Sequence, residues 1–338
     1  MATTACVVVV VVVVVARFNS CQAQPSCSTH HTHRLFHPYI TPPIHHPIHT
    51  STADKRGAVG FWNLNGTEDD PIVEFRPHRQ YVCGLKWLGP SGAGGLLTAS
   101  YDGSVRRLDL ADGGRWLLVH SSEEEEYSCC EADPSGAVLY LGDVEGQLTI
   151  LDTRSPSAAT PRLLCERKFN TLSLHPQQAH TLAAAVGNGD VAIWDIRALS
   201  GQKKKGQEPV ACGSHRQTCQ AAYFSPAGDG RIASTSRDNT VKIWDYADGA
   251  ALKLVESKRH NNDTGRWILP FRAVWGAAGD CVLVGNMGRA VDLLGVGGEE
   301  RQLRDDERMT AIPSRNAVHP GAAMIAAATG SGRVHVYH

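Results

Sequence analysis

Charge of either sign is scarce in this chain: Lys, Arg, Asp and Glu make up 20% of its 338 residues, and the formal net charge is −1. No global field announces a nucleic-acid or membrane surface, so any such role must come from a local patch. No apolar run reaches the roughly 20 residues that a membrane-spanning helix needs. Ten cysteines are scattered without a C-x-x-C pair or a Cys/His spacing of the zinc type, so neither a zinc module nor a disulfide framework is indicated. They read as reduced core residues of an intracellular protein. The phosphate-binding G-x-x-x-x-G-K-[ST] run is missing, and no G-x-G-x-x-G follows a strand and opens a helix. A G-x-S-x-G nucleophile elbow is missing too. The run Glu123 to Glu126 reads as a solvated loop. The chain is therefore expected to be non-catalytic, with no metal site and no cofactor.

The first 53 residues are a different material from the rest. Nine consecutive valines occupy positions 7 to 15, and no acidic residue occurs before Asp54. Seven of the 16 histidines fall between His30 and His49, among prolines. The valines have the length of a signal-peptide core but lack a basic segment before them. An acid-poor start with Arg17 and Arg34 also fits a transit peptide, and histidine-rich tracts sometimes bind metal. The reading preferred over these is low-complexity or misassigned sequence that does not bury enough apolar surface to fold.

Gly is abundant, at 33 residues, which suits many tight turns. From residue 54 onward short β-rich segments recur: GAVGFWN, GSVRRLD, GQLTILD, GDVAIWD, NTVKIWD, RAVDLLG and GRVHVYH. Their aligned hydrophobes are Trp62, Leu108, Leu151, Trp194, Trp244, Leu294 and Tyr337, separated by 43 to 50 residues. That period, with four strands per unit, predicts an all-β, seven-bladed β-propeller over residues 54–338. Two units carry more of the pattern. His78 precedes Asp102 by 24 residues, and His215 precedes Asp238 by 23, with Trp244-Asp245 closing the unit. These offsets resemble WD-repeat proteins. The resemblance implies a buried hydrogen-bonded network for His78, Asp102, His215, Asp238 and Trp244, a structural role. In four other units Glu145, Asn188, Gly288 and Ser331 stand at the turn-Asp position. The last closing segment ends at Tyr337, so that blade's outer strand is expected from the N-terminus. Two strands before GAVGFWN would have to come from Pro/His-rich sequence that opposes pairing, so an incomplete first blade is expected.

Propeller geometry sorts residues by face. Arg79, Arg167, Lys168, Arg216 and Arg237 fall on the face built by d–a and b–c loops. So do Arg259, Arg266, Arg289 and Arg308. A ring of guanidinium groups suits phosphate contacts, which tolerate any base sequence, and Trp267 adds a stacking platform. The plain alternative is ordinary surface arginine, with Trp267 packed under its own loop. On the opposite face, adjacent units end in Leu151-Asp152-Thr153-Arg154 and Trp194-Asp195-Ile196-Arg197. The [WL]-D-x-R form resembles the box by which WD-repeat substrate receptors dock onto the damaged-DNA-binding adaptor of cullin-4 ubiquitin ligases. That implies docking through Arg154, Asp195 and Arg197. The alternative is an Arg paired with a carboxylate of the neighbouring blade.

The stretch RHNNDTGRWILPFRAVW, residues 259 to 275, interrupts the repeat. HNNDTGRW followed by FRAVW resembles the WD repeat-containing protein 76 family, relatives of damage-specific DNA-binding protein 2. So do DKRGAVGFWNLNG, SYDGSVRRLDL, AYFSPAGDGRIASTSRDNTVKIWD and SGRVHVY. The resemblance implies a nuclear, monomeric propeller of the DNA-damage response that binds duplex DNA or chromatin and associates with the cullin-4 adaptor. It implies DNA contacts for Arg259, Asn261, Asn262, Arg266 and Trp267. This chain departs from the pattern at Pro270, in the GNMGRAVDLL loop and across its N-terminal stretch. A pure protein-interaction scaffold, or a secreted or organellar propeller, is the rival reading. Lys203 to Lys205 add a weak nuclear-import signal.

Overall fold

A computed structural model describes residues 8–15, 48–63, 73–88, 95–109, 114–154, 161–199, 206–265, 268–320 and 323–337. Seven antiparallel sheets follow one another along the chain. Six have four strands each, and the seventh has three, Pro313–Val318, Ile325–Thr329 and Val334–Tyr337. In every blade the first strand lies innermost, as in Val82–Trp87 of blade two and Cys219–Phe224 of blade five. The sheets form a seven-bladed propeller.

The core lies between adjacent sheets rather than inside any one of them. Phe169 and Trp194 of blade four meet edge-on at 5.9 Å, within a cluster that includes Tyr140 and Leu148 of blade three. Because strands inside a blade are covered on both faces, they read as near-continuous apolar runs; Thr181–Val186, the second strand of blade four, is buried at every position. The aligned closing hydrophobes Leu108, Leu151, Trp194, Trp244, Leu294 and Tyr337 are all buried. Blades six and seven approach so closely that a Cβ on Gly285 would lie 1.6 Å from the Pro313 carbonyl oxygen, a place only glycine fits.

The first blade corrects an expectation. It has four strands: Val8–Val15, Ile48–Asp54, Val59–Asn63 and Val73–Phe75. The valine tract is its innermost strand, paired antiparallel with Ile48–Asp54 from Val8↔Asp54 to Val15↔Ile48. Side chains branched at Cβ favour extended backbone, and an inner strand needs no polar alternation. The tract also packs against the inner strands of blades two and seven, which closes the ring. The Pro/His-rich residues 16–47 and the lysines at 203–205 lie outside the described residues. Among the described residues, neither N-terminal strand serves as an outer strand of blade seven; both pair within blade one.

Candidate nucleic-acid interface

In blade five, side chains from two strands and two loops join into one chain of hydrogen bonds. Trp244 Nε1 donates to Ser234 Oγ at 2.7 Å, and Ser234 Oγ lies 2.8 Å from His215 Nε2. His215 Nδ1 lies 3.0 Å from Asp238 Oδ2, and Thr240 Oγ1 donates to Asp238 Oδ1 at 2.6 Å. The Arg216 backbone N–H closes the turn onto Asp238 at 3.0 Å. Blade two repeats this with hydroxyls: His78 bridges Ser104 and Thr98, each at 2.8 Å, and Ser104 donates to Asp102 at 2.6 Å. Elsewhere other residues serve. In blade three the buried Asp143 accepts from the backbone of Glu145 and Gln147 at 2.9 and 2.8 Å.

These networks fix where the arginines stand. Arg216 and Arg237 flank Asp238, and Arg259 lies opposite Thr240 in the outer strand. All three are exposed, so three arginines stand at one corner of the propeller. Arg79 is also exposed, and its backbone N–H donates to Asp102 at 2.7 Å on blade two. Exposed carboxylates interrupt the expected ring at two places: Glu123, Glu124 and Glu126 between blades two and three, and Asp306 and Glu307 between blades six and seven. The basic feature is therefore an arc over blades four to six. Lys168 is half-buried, with its Nζ 2.6 Å from the Tyr101 hydroxyl.

The loop after Arg259 divides into an inner and an outer part. Asn261 is exposed. Asn262 is buried, and its Nδ2 donates to the carbonyls of Ser236 and Thr240 at 2.8 and 3.1 Å. Its Oδ1 lies 2.6 Å from His260 Nδ1, and its backbone N–H donates to Asn239 Oδ1 at 2.8 Å. His260 Nε2 in turn lies 3.2 Å from the Asp292 carboxylate. Asn262 staples the loop to the turn of blade five, so its amide is turned away from the surface where a DNA contact was expected. Asn262→Ala should cost about 1–3 kcal/mol, because it strands two buried carbonyls and an imidazole. Hydrogen exchange at residues 260 to 265 should accelerate with it. Unchanged protection would remove the stapling role. Arg266 and Trp267 lie outside the described residues.

On the opposite face the two boxes are geometric copies. Arg154 Nε and Nη2 donate to Asp152 at 3.0 and 2.8 Å, and Arg197 Nε and Nη2 donate to Asp195 at 3.0 and 2.7 Å. Each guanidinium is thus held by its own box, not by a carboxylate of the neighbouring blade. The Arg197 hydrogen bond holds Asp195 well below the usual carboxylate range, at about 2. Both arginine side chains stay mostly exposed, at 71% and 67%, so the pairing orients them without hiding them.

Sequence patterns missed Arg272 and Arg315, which stand in the central channel. Arg272 of blade six reaches across to donate to the Asn170 carbonyl of blade four at 3.0 Å. No repeat motif marks either of them, and it is ring closure that brings them into one channel. Among the described residues, no His/Cys/Asp/Glu group suits a metal ion, and no helix is long and apolar enough to cross a membrane.

Comparison with known proteins agrees with this architecture. Residues 90–270 match the family model for the Nucleolar protein 10-like, N-terminal domain, a β-propeller. WD repeat-containing protein 76 of Xenopus laevis is 32% identical over 308 residues, which is 87% of this chain and 52% of that protein. DNA damage-binding protein CMR1 of Phaeosphaeria nodorum is 33% identical over 289 residues, covering 79% and 55% respectively. The chain spans about half the length of these curated relatives. The solved β-propeller domain of Cps50 (Swd1) from Myceliophteria thermophila superposes with a TM-score of 0.67 at 17% identity, over 85% of this chain and 92% of that one. That likeness speaks to fold alone. The chain belongs to the WD-repeat β-propeller family matched by the Nucleolar protein 10-like model, and its curated homologues there are WD repeat-containing protein 76 and DNA damage-binding protein CMR1.

Proposed function

We propose that this protein is a nuclear, non-catalytic component of the DNA-damage response that holds duplex DNA on the face carrying Arg216, Arg237 and Arg259. The observation that carries this reading is the clustering of those three exposed arginines around the Asp238 turn. Fixed cations of this kind neutralise backbone phosphates, which gives affinity without base specificity. Arg79 and Asn261 extend the contact surface, with Arg266 and Trp267 proposed beside them. The name of the fungal relatives, DNA damage-binding protein, supports the same reading. On the other face Arg154, Asp195 and Arg197 form the proposed dock for the damaged-DNA-binding adaptor of a cullin-4 ligase, so that one propeller joins chromatin to ubiquitin transfer. It is proposed to act as a monomer.

The two faces are separable. Replacing Arg216, Arg237 and Arg259 together with glutamate should weaken duplex binding by about two orders of magnitude at moderate salt, through loss of about three phosphate contacts and added repulsion. Fluorescence anisotropy with a labelled duplex reads this directly, and unchanged affinity would refute the DNA reading. Arg154→Ala with Arg197→Ala should instead abolish adaptor capture and leave duplex affinity as it was. The scaffold reading draws on Leu118, Leu254 and Val255, large apolar side chains exposed on outer strands. It gains ground if the glutamate variant binds DNA normally.

A further inference from the structure

The channel along the propeller axis has a volume of about 450 Å³, within the range of small-molecule sites. It is lined by the inner strands, and its charges do not balance. Among the described lining residues Glu131 is the one carboxylate, and it is held by Lys86 and by the Ala132 backbone N–H. Arg272 and Arg315 have no carboxylate partner among the described residues. Arg315 is only 5% exposed; it donates to the carbonyls of Pro270 and Ser314, and its Nε has no partner. Beside it Asn316 is 6% exposed, and both atoms of its amide, Nδ2 and Oδ1, are unpartnered.

Buried charges and buried amides without partners are each costly, and here they share one cavity. Burial, and next the charge of Arg272, hold Arg315 below its ordinary range, at about 10, so it still carries its proton at neutral pH. A ligand suited to these groups is anionic, to face two guanidinium groups and accept from the amide nitrogen. It must also offer a hydrogen to the amide oxygen. A carboxylate or a phosphodiester has no hydrogen to give, whereas a phosphate or phosphomonoester near its second pKa of about 6 has both. We propose that the central channel is a binding site for a phosphoryl group, taken as free phosphate or a phosphomonoester, held by Arg272, Arg315 and Asn316. The bound anion would tie blades six and seven together from inside the ring.

The test is calorimetric titration of the full chain with inorganic phosphate at constant ionic strength, alone and with a bound duplex. Asn316→Asp places a carboxylate in the same volume beside Arg315, and Arg315→Gln removes the charge. Saturable one-to-one binding, weakened at least tenfold by either variant, supports the site. Asn316→Asp should also raise the melting temperature in phosphate-free buffer, since the carboxylate replaces the anion. Phosphate retained when the duplex is added supports a site for free or monoester phosphate, whereas displacement by the duplex, whose phosphodiesters have no hydrogen to give the amide oxygen, overturns it. No saturable binding, or binding that both variants leave unchanged, overturns the proposal and leaves the channel to water. The Arg216, Arg237 and Arg259 triple variant should bind phosphate normally, so failure of the DNA face and failure of the channel site are told apart.

Discussion

Replacing Trp244 with alanine is expected to destabilise the propeller by about 3–5 kcal/mol, the usual cost of deleting a large core aromatic. Its ring is 4% exposed and stands edge-on to His215 at 6.0 Å. Gly213 of the preceding blade lies flat against it, so close that a Cβ there would meet the ring at 2.6 Å. Deletion therefore leaves a cavity between blades four and five and strands Ser234, which loses its Nε1–H donor at the head of the chain leading to Asp238. Trp244→Phe keeps most of the packing and loses the hydrogen bond, so it should cost about 1–3 kcal/mol. Chemical denaturation of both variants measures the difference. If the alanine variant lost under about 1 kcal/mol, the closing aromatic would not be the pin that its geometry indicates.

Acid should weaken the same fold through its buried histidines. Burial lowers His78 from 6.5 to about 4, and the opposing pull of Asp102 is the smaller effect. Because the folded pKa is depressed, the folded state favours neutral imidazole. That contribution is fully present above about pH 6.5 and is lost as the pH falls towards 4, where the unfolded chain binds a proton and the folded one does not. The separation corresponds to about 3 kcal/mol at most. His215, His175 and His319 are shifted in the same direction, each mainly by burial. Burial opposes ionisation of Asp102 and Asp238, yet their hydrogen bonds outweigh it and leave both below 3.8, so further stability goes at lower pH still. Melting temperature should fall from pH 7 to pH 4.5, and His78→Gln should flatten that slope while lowering the plateau. A variant that tracked the native slope would place the titrating groups elsewhere.

The repeat was legible because its signals are local. A closing hydrophobe, a following Asp and a glycine-rich turn each act within a few residues, and the period multiplies them. His215 and Asp238, 23 positions apart, could be paired through the resemblance to WD-repeat proteins, and the structure joins them at 3.0 Å. The inner strand of blade one was not legible, since nine identical valines have no periodicity with which to distinguish a strand from a signal core. Its register against Ile48–Asp54 depends on closing the ring, a long-range condition. Asn262 failed for another reason: a polar loop residue looks the same whether its amide faces solvent or three buried partners. Arg272 and Arg315 lie 43 positions apart in sequence, and only the axis of the propeller makes them neighbours in one channel.

The central claim, that the arginine arc holds DNA by its phosphates, is tested most directly by salt dependence. Anisotropy titrations of the protein with a short duplex at several salt concentrations give the slope of log K against log salt. With Arg216, Arg237 and Arg259 each neutralising a phosphate, the slope should be about −3, moving towards zero in the triple glutamate variant. A slope near zero for the native protein, or no saturable binding at low salt, would contradict the account and leave the arc to a protein partner.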